Sequence, residues 1–527
     1  MANLLTDPLV QTAPGGFLTL PGVFAALVRA EVDSFPALRP HQQPAWHMFL
    51  VQLAGLALHG AGCRKIPDSE ADWLVALRGL TPDFLNDEPW RLVVDDWSQP
   101  AFLQPPVPAG VELANHVSTP DYLDLLITSR NHDLKRAVAR HGQPQDWLFS
   151  LVSLQTMEGF GGRGNYGIAR MNGGSSSRPL LGLAPLSSGV SGKNFSPRPG
   201  EWFYRDLSVL LESRAKVLAD CGLFSEKGGI GLLWVVPWPE GHQLQVRELD
   251  LWFIEVCRRV RLRSEDDRWS AMKGNSQKER IAAKNCKGVL ADPWAPSHKS
   301  DNKSFTLGEG DFDYRRLSDL LFSGDWILPL LAQPSSFESG NETMALVAAA
   351  LSRGNSKTDG FKMRILPIGG KVTYALMNRR KELHLLAQAQ MDEIKIFDKA
   401  LSGALALVAV GGDWEKRKKE HYEYARSAQI SFSRDVDAAF FPSLWRRFAA
   451  QEQGDAAKRE EEQRFARLLL DKSQLVFAAA LPSVPCASVF RPRAEARARR
   501  AFTGAIYKHY SYLFSQPEPE DTDHAPA

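Results

Sequence analysis

The sequence predicts an α+β protein: a large mixed α/β N-terminal domain over residues 1–370, a C-terminal four-helix bundle over 371–514, and a disordered acidic tail over 515–527. Three observations carry that division. Up to about Pro367 helical and strand-like runs alternate with many Gly and Pro interruptions. Beyond Lys371 apolar residues step by three and four, the spacing that lines one face of a helix. The final segment, SQPEPEDTDHAPA, is acidic and Pro-rich, a composition that cannot bury enough apolar surface to order itself.

In the N-terminal part, Trp46, Leu50, Leu53 and Ala57 fall at helical spacing and predict a helix over 44–58. The run 231–236 (GLLWVV) reads as a strand, as does 366–374 around a Gly-Gly turn. Glycine and serine crowd together between Met157 and Pro199, a length without periodicity that marks a functional or flexible loop. A second polar stretch, Ser264 to Asp301, carries Lys273, Lys278, Arg280, Lys284 and Lys287. In the C-terminal part the helical series are Ile394, Phe397, Leu401, Leu405 and Val408; Phe441, Leu444, Trp445 and Phe448; Phe465, Leu468 and Leu469; and Phe502, Ile506 and Leu513. Gly454 and the Pro-rich stretch from Pro482 to Pro492 separate them, giving four amphipathic helices. No internal repeat is visible.

Bulk composition narrows the function. The chain has 527 residues, 44% apolar and 24% charged, with a formal net charge of +2, so any nucleic-acid role rests on local basic surfaces and not on a polycationic whole. Cys63, Cys221, Cys257, Cys286 and Cys486 are odd in number, scattered, and form no CxxC pair; this argues against a disulfide framework or a thiolate zinc site and fits a reducing compartment. The opening MANLLTDPLVQ lacks the basic and apolar regions of a signal peptide, and no apolar run reaches membrane-spanning length. The expectation is a cytoplasmic protein without membrane contact.

Catalytic and cofactor patterns largely fail. Gly159-Phe-Gly161-Gly-Arg-Gly164 fits GxGxxG, but Gly167, Gly173 and Gly174 break any following helix and no acidic residue stands about twenty positions on. A nucleotide-binding enzyme using the loop 159–164 is the alternative function this pattern leaves. Ser187 to Asn194 misses the P-loop pattern at its first glycine and at the magnesium-binding hydroxyl. There is no HExxH, GxSxG or EF-hand loop, and His41, His47 and His298 do not cluster at metal spacings. The expectation is a binding protein that is not an enzyme, with no cofactor and no metal.

Three features suit nucleic acid. Without side chains at Gly159, Gly161 and Gly162, the backbone can approach a groove floor or phosphates closely, with Arg163 beside it to pair with phosphate or enter a narrow minor groove. Arg353-Gly-Asn355-Ser356-Lys357 reads as a polar, basic hairpin tip between an apolar run, 345–351, and a basic strand, 361–366. Basic segments lie at 273–287, at 416–419, where Glu420 and Glu423 dilute the charge, and at 491–500, where only Glu495 opposes it.

These pieces together resemble the CasA family, the large subunit of the type I-E CRISPR Cascade surveillance complex. Asn3-Leu-Leu-Thr-Asp7 resembles the family's NLL-x-D start, Leu18-Thr-Leu-Pro21 its following strand, and Phe102-Leu-Gln104-Pro its PFxQ. Gly159-Phe-Gly-Gly162 with Asn172-Gly-Gly174 resembles GFGG…RGG. Ser352-Arg-Gly-Asn355 followed by Lys362 to Pro367 resembles the family's hairpin and strand, and 501–509 its last bundle helix. The order of these motifs along nearly the whole chain carries the resemblance more than any one of them.

The resemblance implies a non-catalytic subunit that reads a short protospacer-adjacent motif (PAM) in duplex target DNA, starts strand separation and R-loop formation, and recruits the helicase–nuclease of antiviral defence. Its partners would be crRNA and the crRNA-handle-binding, backbone and small subunits. Guide pairing reads the sequence and protein reads only the PAM. By the same resemblance Gly159, Gly161 and Gly162 with Arg163 would face the PAM minor groove. Asn355, Ser356 and Lys357 would form the wedge, with Ser356 where the family has a glutamine; Lys284 would be the lysine finger, and Asn131 and His132 would lie near the crRNA handle.

Overall fold

The computed structural model describes residues 2–63, 65–124, 142–186, 196–266, 268–335, 343–354 and 357–514. The chain is α+β and divides into two units, Met1–Phe312 with Asp319–Met377, and Asp313–Ser318 with Asn378–Ala527. The segment 515–527, expected to be a disordered tail, lies outside the described residues.

In the first unit Thr19 starts helix α1 (Leu20–Val28). Its Oγ1 accepts from the Gly22 N–H at 3.0 Å, and Pro21 sits in the first turn, where a missing N–H leaves no bond unmade. The stretch 18–21, read from sequence as strand, is strand only through Leu18. Helix α2 (Gln43–Gly60) overruns the predicted 44–58 by a residue or two at each end and buries fourteen of its eighteen residues. A helix apolar on all sides belongs at the centre of a core, and rings gather on it: Trp46 lies 5.0 Å from Phe149 and 5.7 Å from Phe49. Phe149 comes from α3 (Pro144–Met157); α4 (Pro199–Cys221) packs on the same helix.

Two antiparallel sheets flank these helices. One orders β1 (Leu180–Pro185), β4 (Met344–Gly354) and β5 (Lys357–Ile368) with β4 central. The other pairs β2 (Arg259–Glu265) with β3 (Arg268–Gly274) and the short strand Asn115–Val117. Two predicted strands differ from expectation. Ile230–Leu232 is strand, but Leu233–Val235 coils into a 3-10 turn that buries Trp234. After the Gly-Gly pair the chain turns into a helix, Gly370–Asn378, because the Gly369 carbonyl accepts from the Val372 and Thr373 amides.

Side-chain amides fasten the long connections. Gln104 donates to the Leu92 and Phe102 carbonyls at 2.9 and 3.1 Å and accepts from the Leu262 amide at 2.6 Å, tying the Phe102–Pro105 motif to β2. Asn3 accepts from the Leu5 amide and donates to Asp87, so the opening motif seats Leu4 and Leu5 in the core.

The second unit is four helices: α5 (Arg380–Ala409), α6 (Arg426–Ala450), α7 (Asp455–Ala480) and α8 (Arg491–Tyr507). The predicted apolar series face inward; Ile394, Phe397, Leu401, Leu405, Phe441, Leu444, Phe465, Leu469, Phe502 and Ile506 are buried. Leu513 differs, since α8 ends at Tyr507 and Leu513 lies in the 3-10 turn Ser511–Phe514. Phe477 of α7 and Phe502 of α8 stack 4.8 Å apart, and Gln390 of α5 donates to the Phe440 carbonyl of α6 at 2.9 Å.

Candidate nucleic-acid interface

Helix α3 ends at Met157, and the next residue, Glu158, is extended and forms a bridge with Ser177. The glycine run follows at once. Gly159 is buried, and a Cβ there would meet the Ser176 and Gly174 carbonyl oxygens; the Phe160 amide donates to Gly174 O at 2.7 Å. Gly159 is glycine because two backbones of the protein itself touch there. Gly161 N donates to Asn165 O at 2.8 Å and Asn165 N to Gly162 O at 2.9 Å, closing a tight turn. Gly162 tops that turn with φ +111° and nothing in front of it, so its lack of a side chain serves backbone shape and leaves open space outside. Gly164, at φ +82°, accepts from the Ser276 amide and anchors the turn. Phe160 and Arg163 lie on the same turn, with Phe160 exposed.

The return strand of this ribbon lies against the β4–β5 hairpin. Ser177 N donates to Leu351 O at 3.1 Å, Leu351 N to Ser177 Oγ at 2.7 Å, and Ser176 Oγ to Arg353 O at 3.4 Å. A buried ion pair completes the junction: Glu158, directly before the glycines, binds both terminal nitrogens of Arg353, one of them at 3.1 Å. The β4 register shifts between Ser352 and Arg353, and Gly360 opposite takes φ +108°, a bulge that bends the stem. Gly354 and Lys357 are the last paired positions; Lys357 is the first residue of β5. Asn355 and Ser356 lie outside the described residues, as do Asn131 and His132 and the stretch 187–194.

Beside the ribbon is a cleft of about 370 Å³, lined among others by Phe160, Tyr166, Ala169, Glu255, Lys284 and Lys287. Lys284 is exposed on a short 3-10 turn, Lys284–Cys286, so the candidate lysine and the glycine ribbon share one cavity. At its floor Glu255 accepts from the Ala169 amide at 2.5 Å; burial outweighs that bond and the charges of Arg170 and Arg178 and pushes its carboxyl up to about 7. Deeper still, Arg178 pairs with Asp292 at 2.6 and 2.8 Å, and Arg170 lies 4.0 Å from the Phe253 ring centre. Burial works to raise Asp292, but the Arg178 charge and hydrogen bonds hold its carboxyl below the usual range.

The basic stretch 273–287 is therefore not one cationic face. Lys273 sits in β3, and burial with the Arg258 charge pushes its ammonium down to about 8. Arg280 is buried and donates to the Pro237 and Val236 carbonyls at 3.1 and 2.8 Å. Lys278 and Lys284 are exposed, and Lys287 Nζ donates to Asp301 O at 3.3 Å. Sequence reasoning missed Glu158 and Glu255 as parts of this site. Glu158 carried a signal in its place between the last helical residue and the first glycine; Glu255, within the apolar run LDLWFIEV, carried none.

The loop 159–164 follows a helix, and irregular chain runs from its end to β1, so no helix starts from this loop to offer its N-terminus to a nucleotide phosphate. The strand–loop–helix order of a dinucleotide site is therefore not present between Pro144 and Pro185. Among the described residues no group of three His, Cys, Asp or Glu side chains could hold a metal ion, and no helix is long and apolar enough to cross a membrane.

No protein-family model and no curated protein sequence matches the chain. Solved structures do. The CRISPR-associated protein Cse1 of Acidimicrobium ferrooxidans matches with a TM-score of 0.61 at 14% identity, over 97% of this chain and 98% of its own. CasA of Thermus thermophilus matches with a TM-score of 0.61 at 15% identity, over 96% and 99%. Thermobifida fusca Cse1 matches with 0.62 at 14%, over 97% and 98%. The chain has the Cse1/CasA fold from end to end.

Proposed function

We propose that this chain is the large, non-catalytic subunit of a CRISPR RNA-guided surveillance complex of the Cascade type, acting in the cytoplasm. In this reading it assembles with crRNA and the crRNA-handle-binding, backbone and small subunits, reads the PAM in duplex DNA, starts strand separation and recruits the helicase–nuclease. The end-to-end likeness to Cse1 and CasA structures supports membership of such a complex.

One observation carries the finer reading. The glycine ribbon at 159–164 and the stem of the hairpin at 352–354 are joined by the buried Glu158–Arg353 pair, and Lys284 shares the ribbon's cleft. A bare, convex backbone turn at Gly162 suits a minor groove, whose floor offers few distinguishing groups, so a permissive PAM follows. The hairpin stem at Arg353 then lies next to the first base pair to be opened. Opening costs about 1.4 kcal/mol per stacking step. Contacts from the ribbon and Lys284 to the duplex supply that energy before guide pairing begins.

The test is binding of PAM-bearing duplex by the assembled complex. Gly162→Asp puts a carboxylate against phosphates, and Lys284→Ala removes a cation; each weakens target binding about tenfold while assembly with crRNA and partners proceeds unchanged. Unaltered target affinity in both variants refutes the site.

A further inference from the structure

We propose a second nucleic-acid site, for single strands, at the end of the helical bundle where residues 411–424 meet the start of α8. It lies wholly within the second unit and does not depend on the cleft beside the glycine ribbon.

Two segments some eighty residues apart are locked together there. Gly411 and Gly412 close the C-terminus of α5 with φ of +65° and +83°. Their carbonyls accept from α8: Arg493 Nε and Nη2 reach Gly411 O at 3.2 and 2.9 Å, and Arg497 Nη1 reaches Gly412 O at 2.9 Å. A Cβ on Gly412 would stand 3.0 Å from the Ala494 Cα, so the turn sits directly on the first turns of α8.

The surface so formed interleaves rings with cations. Trp414 is 51% exposed, Phe490 46%, Tyr424 47% and Tyr422 37%, although each is large and apolar enough to be worth burying. The Arg417 guanidinium lies 4.3 Å from the Trp414 ring centre and 5.6 Å from that of Tyr422, and Arg493 lies 5.1 Å from Phe490. These contacts fix the rings without hiding them. Segment 491–500 holds five arginines against Glu495 alone, whereas 413–423 balances four Lys and Arg with four Asp and Glu. The positive surplus therefore comes from α8. Arg500, three residues beyond Arg497 and seven beyond Arg493, shares their face of α8 and is exposed, with no hydrogen-bond or ion-pair partner among the described residues.

This composition selects the ligand. Exposed rings offer stacking faces, and only unpaired bases have faces to place on them; a duplex hides its bases in the stack and presents phosphate alone. The arginines along α8 then follow the phosphates of the same strand. An acidic peptide would use the arginines but leave the rings idle.

Fluorescence anisotropy of the full chain with a labelled oligo(dT) of about 20 nucleotides tests this, a length that spans the site size of a single-strand binding surface. Trp414→Ala/Tyr422→Ala weakens binding about tenfold, which is about 1.4 kcal/mol, and Trp414→Phe/Tyr422→Phe restores most of it. Arg500→Glu weakens binding and lowers the slope of log affinity against log salt by about 0.7, the value for one lost phosphate contact on a single strand. Gly162→Asp leaves oligo(dT) binding unchanged, which separates this site from the cleft. The proposal is overturned if both the double-alanine and the Arg500→Glu variants bind like the parent. It is equally overturned if a polyglutamate peptide competes as well as oligo(dT) at equal charge, or if duplex binds as tightly and is insensitive to loss of the two rings.

Discussion

The pair joining Glu158 to Arg353 offers the sharpest test of how the site is built. Its side chains are only 3% and 7% exposed, so its charges are far from the screened surface regime. Glu158→Gln removes the buried carboxylate that both terminal nitrogens of Arg353 bind, and arginine cannot escape by losing its proton. The expected cost is roughly 3–5 kcal/mol, the range for breaking a buried pair from one side. Arg353→Met leaves a carboxylate instead, which can take up a proton. The double variant Glu158→Gln/Arg353→Met removes both charges and recovers about 2 kcal/mol or more relative to the sum of the singles. Urea denaturation at pH 5 and pH 7 measures all four corners of the cycle, and hydrogen exchange across 344–368 locates the loss in the hairpin stem. If Glu158→Gln costs under about 1 kcal/mol, or the cycle shows no coupling, the junction of ribbon and hairpin is not held by charge.

Two further outcomes follow from the ribbon and its floor. Gly159→Ala drives a Cβ into the carbonyls of Ser176 and Gly174 and destabilises the first unit by roughly 2–3 kcal/mol, whereas Gly162→Ala meets open space and costs only the strain of φ +111°, about 1 kcal/mol; thermal melts that rank the two the other way would contradict the geometry. Glu255 is raised by burial to about 7 from an ordinary 4.5, so its contribution to stability is fully present below 4.5 and lost as pH rises through 7. Glu255→Gln should therefore match the parent at pH 5 and exceed it by about 3 kcal/mol at pH 8, and equal stabilities at pH 8 would show that the carboxyl is solvated.

The two units differ in how much their sequences disclose, and the difference is one of range. In the second unit the inward residues of each helix repeat every three or four positions, so Phe397 or Phe502 can be assigned to the core from its near neighbours alone. In the first unit the decisive partners are distant: Glu158 and Arg353 are 195 residues apart, Gln104 and Leu262 are 158 apart. Local pattern therefore finds the glycine ribbon and the hairpin but not what welds them. Where sequence reading erred locally, a local signal was overridden by a resemblance or a period. Thr19 and Pro21 are a helix start, yet the motif suggested a strand. Helix α2 shows one apolar stripe at helical spacing, but burial on all sides makes it the central helix instead of a half-exposed one.

Charge is where counting misleads most. The net value of +2 treats every arginine as equivalent, but Arg170, Arg178, Arg261 and Arg280 are buried on carbonyls or carboxylates and present nothing to a partner. Within the stretch 273–287 it is Arg280 that is spent in this way, on the Val236 and Pro237 carbonyls, which have no ladder to join. The arginines of α8 spend only part of their donors on Gly411 and Gly412 and keep their charge at the surface. Cation availability, set by whether a guanidinium is answering to backbone, thus distinguishes a run that looks basic from one that acts so. By that criterion Lys284 beside the ribbon and Arg500 on the bundle are among the cations that can meet phosphate.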